Sequence, residues 1–273
     1  MTRKRPTIAD VRAMKGKHQY TMLRVESMEE AEAAEQAGID MASVSPELIC
    51  NPQFREAAPG LFAVPGLDYF DVGTADDFVR WAFRMVKASA DAIYCSASLQ
   101  TVQRLSEEAI PVIGHVGLIP SKRTWTGGFK AVGKTAGSAM QIFNAVKAYE
   151  SAGAFGAEIE VVPSEVATEI SKRTSLFLVS MGAGTGCDAQ YLFAEDVLGS
   201  NTGHYPRHAK RYRDFAAENA RLQKERIAAF AEFAGDVKSG AYPEPRHEVG
   251  ITQDEMQNFR KMLSTAHSQH LKF

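Results

Sequence analysis

His115 and Glu160 are the residues of this chain whose local setting best suits proton transfer. His115 lies in PVIGHVG (111–117), where a short apolar β run ends and opens into a glycine-rich, cationic loop reaching Lys134. A histidine at a strand end can act as acid, base or hydrogen-bond donor, and capping a sheet is its structural alternative. Glu160 closes a second β run, AEIEVVP (157–163), with Glu158 two residues earlier on the same face. Burial at a barrel mouth would raise a carboxylate toward the range of a general base. The structural alternative for Glu160 is a helix cap or a lysine partner, and Glu158 is assigned mainly to such a role.

Groups that could hold an anionic substrate surround these two in sequence. Lys122, Arg123 and Lys130 follow His115 with Trp125 among them, and could clamp a small carboxylate or a polyglutamate tail. Arg24 ends an otherwise apolar run, where a guanidinium needs an anionic partner. MGAGTGCDAQ (181–190) carries Gly182, Gly184 and Gly186 ahead of an expected helix start at Asp188, and such loops offer backbone N–H groups to anions. Neither a phosphate-binding Gly-Lys-Ser/Thr nor a complete dinucleotide fingerprint follows.

A parallel α/β framework must position these residues. Candidate strands run over 20–25, 41–44, 61–65, 92–95, 111–114, 157–161 and 176–181, with an eighth near 203–207; amphipathic windows at 27–36, 74–88, 99–108, 136–152 and 164–172 alternate with them. Thr74 with Asp76 and Asp77, and Gly153 after an alanine-rich helix, are start and stop signals. The pattern predicts a TIM (β/α)8 barrel, with a doubly wound sheet as runner-up. One barrel domain is expected over 1–273, with a helical lead-in at 1–19 and extra C-terminal helices in 215–273 serving as subunit contacts.

A net charge of -2 and a pI near 6.4 disfavour nucleic acid and anionic membranes as partners, leaving a small molecule. Cys50, Cys95 and Cys187 are scattered and unpaired in pattern, which predicts a reducing, cytoplasmic setting without structural zinc. No apolar run reaches the about 18 residues of a membrane span.

HVGLIP with GGFKAVGK, AGAFGAEIEVVPSEV, SMGAGTGCDAQ, DVLGSNTGHYPRHAKRY and VKSGAYP, in that order, resemble ketopantoate hydroxymethyltransferase from Lys15 to Pro243. The resemblance implies a TIM barrel akin to the phosphoenolpyruvate mutase and isocitrate lyase superfamily, and a homo-oligomer, commonly a decamer. It also implies transfer of a hydroxymethyl group from 5,10-methylenetetrahydrofolate to 2-oxoisovalerate, for pantothenate synthesis. By position it makes Glu160 the base and His115 the acid or hydrogen-bond donor.

Elsewhere the chain departs from the family pattern. Two aspartates that hold Mg2+ in V-G-D-S and A-D-x-P are replaced in SVSPEL (43–48) and FAVPGL (62–67), and K-I-E becomes Tyr94, Cys95 and Ser96. Ser43, Ser45, Tyr94, Ser96, Arg24, Lys122, Arg123, Gly182 and Gly184 are then the substrate-binding candidates. Glu47 and Asp68, or Asp71, are the metal ligands that a small shift would restore; otherwise arginine or lysine replaces magnesium as electrophile. Altered transferase or lyase chemistry, and a silent ligand-binding or assembly homologue, are the alternatives.

Overall fold

The computed structural model describes residues 3–67 and 71–270. Its strands are β1 (Tyr20–Arg24), β2 (Met41–Val44), β3 (Phe62–Pro65), β4 (Ile93–Tyr94), β5 (Val112–Gly117), β6 (Gly156–Glu160), β7 (Phe177–Met181) and β8 (Ala189–Phe193). All pairs are parallel in the order β3-β2-β1-β8-β7-β6-β5-β4, and a parallel bridge between Gly66 and Tyr94 links the two edges. The result is the expected TIM barrel.

Seven strands fall where the sequence places them, but the eighth is Ala189–Phe193 rather than 203–207. Parallel strands normally need a helical crossover, whereas here seven residues join β7 to β8. The connection lies against helix Ser164–Ser171: a Cβ on Gly184 would come 2.4 Å from that of Ser164, and one on Gly186 1.9 Å from Thr168 Oγ1. These glycines serve close packing, which is why a glycine-rich loop can stand where a helix usually does.

Asp188, expected to begin a helix, instead leads into β8. Its buried carboxylate accepts from the backbone N–H groups of Leu178 (2.8 Å) and Gly16 (3.1 Å) and pairs with Lys15 Nζ at 2.7 Å. Its carbonyl accepts from Tyr20 N–H. One acid thus ties β1, β7 and β8 together at the end of the barrel opposite the strand termini.

The predicted helices form with the capping chemistry that the sequence carries. Ser27, Thr74, Ser98 and Thr135 each accept the backbone N–H three residues on, and Ser45 does the same for Pro46–Cys50, a helix outside the predicted windows. Helix Ala75–Lys87 buries Phe78, Trp81, Ala82 and Met85 at helical spacing. Two apolar clusters result. One lies between strands and helices; the other fills the barrel with residues such as Met22, Met41, Phe62, Ile113, Phe177 and Tyr191. Each fully buried large side chain contributes about 1.5–3 kcal/mol.

The chain divides into two compact units, Met1–Ala216 and Ala217–Phe273. The long helices near the C terminus run over Phe215–Ser239 and Gln253–His270. Among the described residues no helix is long and apolar enough to cross a membrane.

Candidate active site at the barrel mouth

Side chains alternate across a strand, so every second residue of β5 and β6 points into the barrel. Ile113 and His115 on β5, and Glu158 and Glu160 on β6, therefore share one interior. The parallel register sets His115 opposite Glu158 and Gly117 opposite Glu160. Gly114, between them, faces outward, and the space a side chain would need is filled by the Tyr149 ring, 2.4 Å from a built Cβ. Its role is helix packing rather than close approach of the backbone to a ligand.

His115 Nε2 stands 3.1 Å from Glu160 Oε2 and 3.9 Å from Glu158 Oε1, and the Tyr94 hydroxyl lies in short contact with Nδ1. All three charged groups are buried; His115 is only 2% exposed. The 3.1 Å approach is a charge contact rather than an aligned hydrogen bond, and Nε2 has no hydrogen-bond partner among the described residues.

Burial alone would lower the His115 pKa, but the Glu158 and Glu160 carboxylates outweigh it and hold it above the ordinary imidazole value. Glu158 is pushed up to about 7 by burial, with the His115 charge opposing and the Glu160 charge adding. The cluster therefore keeps a proton at neutral pH.

The mouth is a cavity of about 300 Å³, lined also by Arg24, Glu26, Ser43, Val179, Met181 and Tyr191. Arg24 pairs with Glu26 and reaches Ser43 Oγ at 3.5 Å, which supplies the anionic partner its setting required. Burial raises the Tyr191 phenol far above its ordinary range, so it stays a neutral donor. Tyr191 escaped the sequence reading because β8 was misplaced. Glu158 shares the β alternation with Glu160, but its nearness to His115 follows only from the β5–β6 register.

Other candidates lie elsewhere. Lys122 lines a second cavity of about 590 Å³ with Ser98, Gln141 and Tyr149, which His115 also borders. Arg123 stacks over Phe129, with 5.6 Å to the ring centroid. Ser45 caps helix Pro46–Cys50, while Ser96 follows β4 and is not among the residues lining the mouth. Gly184 packs on Ser164 as described. Gly182 lies against His208 beside a cleft of about 530 Å³ that shares Glu160, Pro120, Met181 and Phe193 with the mouth and carries Lys130, Lys134 and Arg207.

The expected metal ligands are not assembled there. Glu47 is exposed on helix Pro46–Cys50, Asp71 lines another cleft with Arg80 and Arg84 and is not among the residues lining the mouth, and Asp68 lies outside the described residues. Among the described residues, His115, Glu158 and Glu160 form the group whose ligand atoms, all within 4.8 Å of one another, could share a cation. Magnesium prefers an octahedron of oxygens. The imidazole donor, and the absence of aspartates from the described mouth, do not match it.

The profile of the family described as Ketopantoate hydroxymethyltransferase matches residues 55–245. The 3-methyl-2-oxobutanoate hydroxymethyltransferase of Kosmotoga olearia is 30% identical over 256 residues, covering 85% of this chain and 93% of that protein. That of Thermus thermophilus is 36% identical over 197 residues, covering 71% and 73%. Among solved structures, oxaloacetate acetylhydrolase bound to 3,3-difluorooxalacetate superposes with a TM-score of 0.54 at 10% identity, over 87% of this chain and 98% of that one. The carboxyl transferase domain of Rhizobium etli pyruvate carboxylase gives 0.52 at 9%, over 69% and 42%. These two share the fold. With the profile and both sequence relatives in agreement, the chain belongs to the ketopantoate hydroxymethyltransferase family, whose named members are transferases.

Proposed function

We propose that this protein transfers a hydroxymethyl group to a small 2-oxo acid through an enolate, with Glu160 as base and His115 as acid or hydrogen-bond donor. The observation that carries this reading is the buried His115–Glu160 pair, in 3.1 Å contact at the open end of the barrel. Glu160 takes the proton from the carbon beside the ketone. The imidazolium form of His115, favoured by its carboxylate neighbours, faces the charge that develops on the enolate oxygen. One of the donor's two methylene C–N bonds opens to give the electrophile, the enolate carbon adds to that methylene with formation of the C–C bond, and water then replaces the second C–N bond as the hydroxyl; the two donor nitrogens end with the proton taken by Glu160 and one proton from water.

Arg24, which reaches Ser43 Oγ, is the mouth's guanidinium for the substrate carboxylate, which it takes by sharing or exchanging its pairing with Glu26. 5,10-Methylenetetrahydrofolate fits the donor role: the adjoining cleft reaches Glu160 from one side and offers three cations for an acidic tail. No step requires magnesium. The C-terminal helices serve subunit contacts in this reading, because Phe215–Ser239 buries none of its residues although Ile227, Phe230 and Phe233 are apolar and exposed.

The test is formation of ketopantoate from 2-oxoisovalerate and methylenetetrahydrofolate, beside deuterium uptake by 2-oxoisovalerate alone in D2O. Turnover and exchange should both collapse in Glu160→Gln. Turnover no higher than in that variant would overturn the assignment.

A further inference from the structure

We infer that His115, Glu158 and Glu160 form a binding site for one borderline divalent cation of the Zn2+ or Co2+ class, and that its occupancy shuts off proton transfer at the mouth. When the imidazole is neutral and Nδ1–H donates to the Tyr94 hydroxyl, the Nε2 lone pair points toward two carboxylates, at 3.1 and 3.9 Å. Nε2 then faces the two carboxylates without a hydrogen-bond partner of its own, while Tyr94 reaches Glu158 from one side. Such an arrangement needs a positive occupant, and only a proton or a metal ion is small enough.

The donor set selects the class of ion. One imidazole nitrogen and two carboxylates suit zinc, cobalt or manganese better than an all-oxygen magnesium site. Two donors each about 2.1 Å from a shared ion lie roughly 3 Å apart when nearly at right angles, comparable with the Nε2–Oε2 separation. A ligating histidine characteristically holds its other ring nitrogen in a hydrogen bond, and Tyr94 supplies that contact. Three protein ligands leave positions open toward the mouth cavity.

The consequence is exclusion. An ion on Nε2 displaces the proton that makes His115 an acid, and coordination lowers the basicity of Glu160. The inhibitory half of this inference therefore rests on the proposed function, whereas the binding half does not.

The experiment uses the full-length protein stripped with a chelator and titrated with Co2+ alone, followed by visible absorption and equilibrium dialysis. One ion should bind per chain, and Glu158→Gln should weaken it about 100-fold or more, since even outer-shell losses cost about 10–100-fold. X-ray absorption of the loaded wild-type protein guards against a misfolded variant: it should show one imidazole with oxygen neighbours. No stoichiometric binding, unchanged affinity in Glu158→Gln, or a sulfur or second imidazole ligand overturns the site. Buffered Zn2+ should inhibit turnover and deuterium exchange while Mg2+ should not, and stimulation by Zn2+ overturns the exclusion. Absence of turnover in metal-free protein, with Co2+ still bound, retires the proposed function and leaves the ion site standing.

Discussion

Replacing Glu158 by glutamine should remove the fall in stability that this residue causes between pH 4.5 and 7 in the metal-free protein. The ordinary carboxyl value is 4.5, and burial among Glu160 and the interior apolar residues holds Glu158 at about 7. Below 4.5 folded and unfolded chains both carry the proton. Between 4.5 and 7 the unfolded chain has lost it while the folded chain retains it, so folding takes up a proton and stability falls as pH rises. Above 7 the loss is complete, at about 3 kcal/mol. His115 acts in the same direction: its folded pKa lies above 6.5, so its contribution is present below 6.5 and disappears as pH passes the folded value. Glutamine keeps the shape without the charge but weakens the hydrogen bond from Tyr94, a cost of about 1 kcal/mol. The variant should be about 1 kcal/mol less stable near pH 3.5, about equal near pH 5 and about 2 kcal/mol more stable near pH 8.5. At about 2–4 °C per kcal/mol, the gain is about 4–8 °C in Tm. Urea unfolding followed by circular dichroism with EDTA present measures both limits. Parallel stability–pH curves for wild type and variant would refute the reasoning.

Tyr94→Phe removes the partner of His115 Nδ1 and should lower kcat about fivefold to tenfold, the equivalent of one neutral hydrogen bond, with KM for the 2-oxo acid little changed; steady-state kinetics decide this. Asp188→Ala strands the Lys15 ammonium and the N–H groups of Leu178 and Gly16, and should cost about 3–5 kcal/mol in urea unfolding, with Asp188→Asn costing less. Gly114→Ala should destabilise by about 1–3 kcal/mol, because its methyl meets the Tyr149 ring, and shrinking Tyr149 to leucine in the same chain should recover part of the loss. Charging the exposed apolar positions with Phe230→Glu and Phe233→Glu should reduce the sedimenting mass if Phe215–Ser239 is a subunit contact, and an unchanged mass counts against that role.

The sequence exposes the barrel wherever period and punctuation agree. Seven strands and the Thr74 cap follow from apolar runs bounded by polar starts and glycine stops. The eighth strand was displaced because parallel strands lead a reader to expect a helix between them, and Asp188 resembles an N-cap when its partners on β1 and β7 are distant in sequence. Likewise, His115 and Glu160 stand out at strand ends, whereas the contribution of Glu158 depends on the β5–β6 register. The cations beyond His115 drew notice by charge alone. Lys122 and Arg123 face other surroundings, and the guanidinium at the mouth is Arg24, from the opposite end of the barrel sequence.

The seven-residue connection between β7 and β8 bears on what changes the chain can accept. It must traverse the height of the barrel, a five-residue strand of roughly 16 Å, while an extended peptide of its length reaches only about 23–25 Å. Little slack remains after the detour over helix Ser164–Ser171. Gly182 beside the mouth and Asp188 at the far end are two ends of one short tether, so deleting a residue here would pull on both rims of the barrel at once. An inserted residue would add slack at the cost of the glycine contacts with Ser164 and Thr168. Length variation in this part of the molecule should therefore be far less tolerated than in an ordinary surface loop.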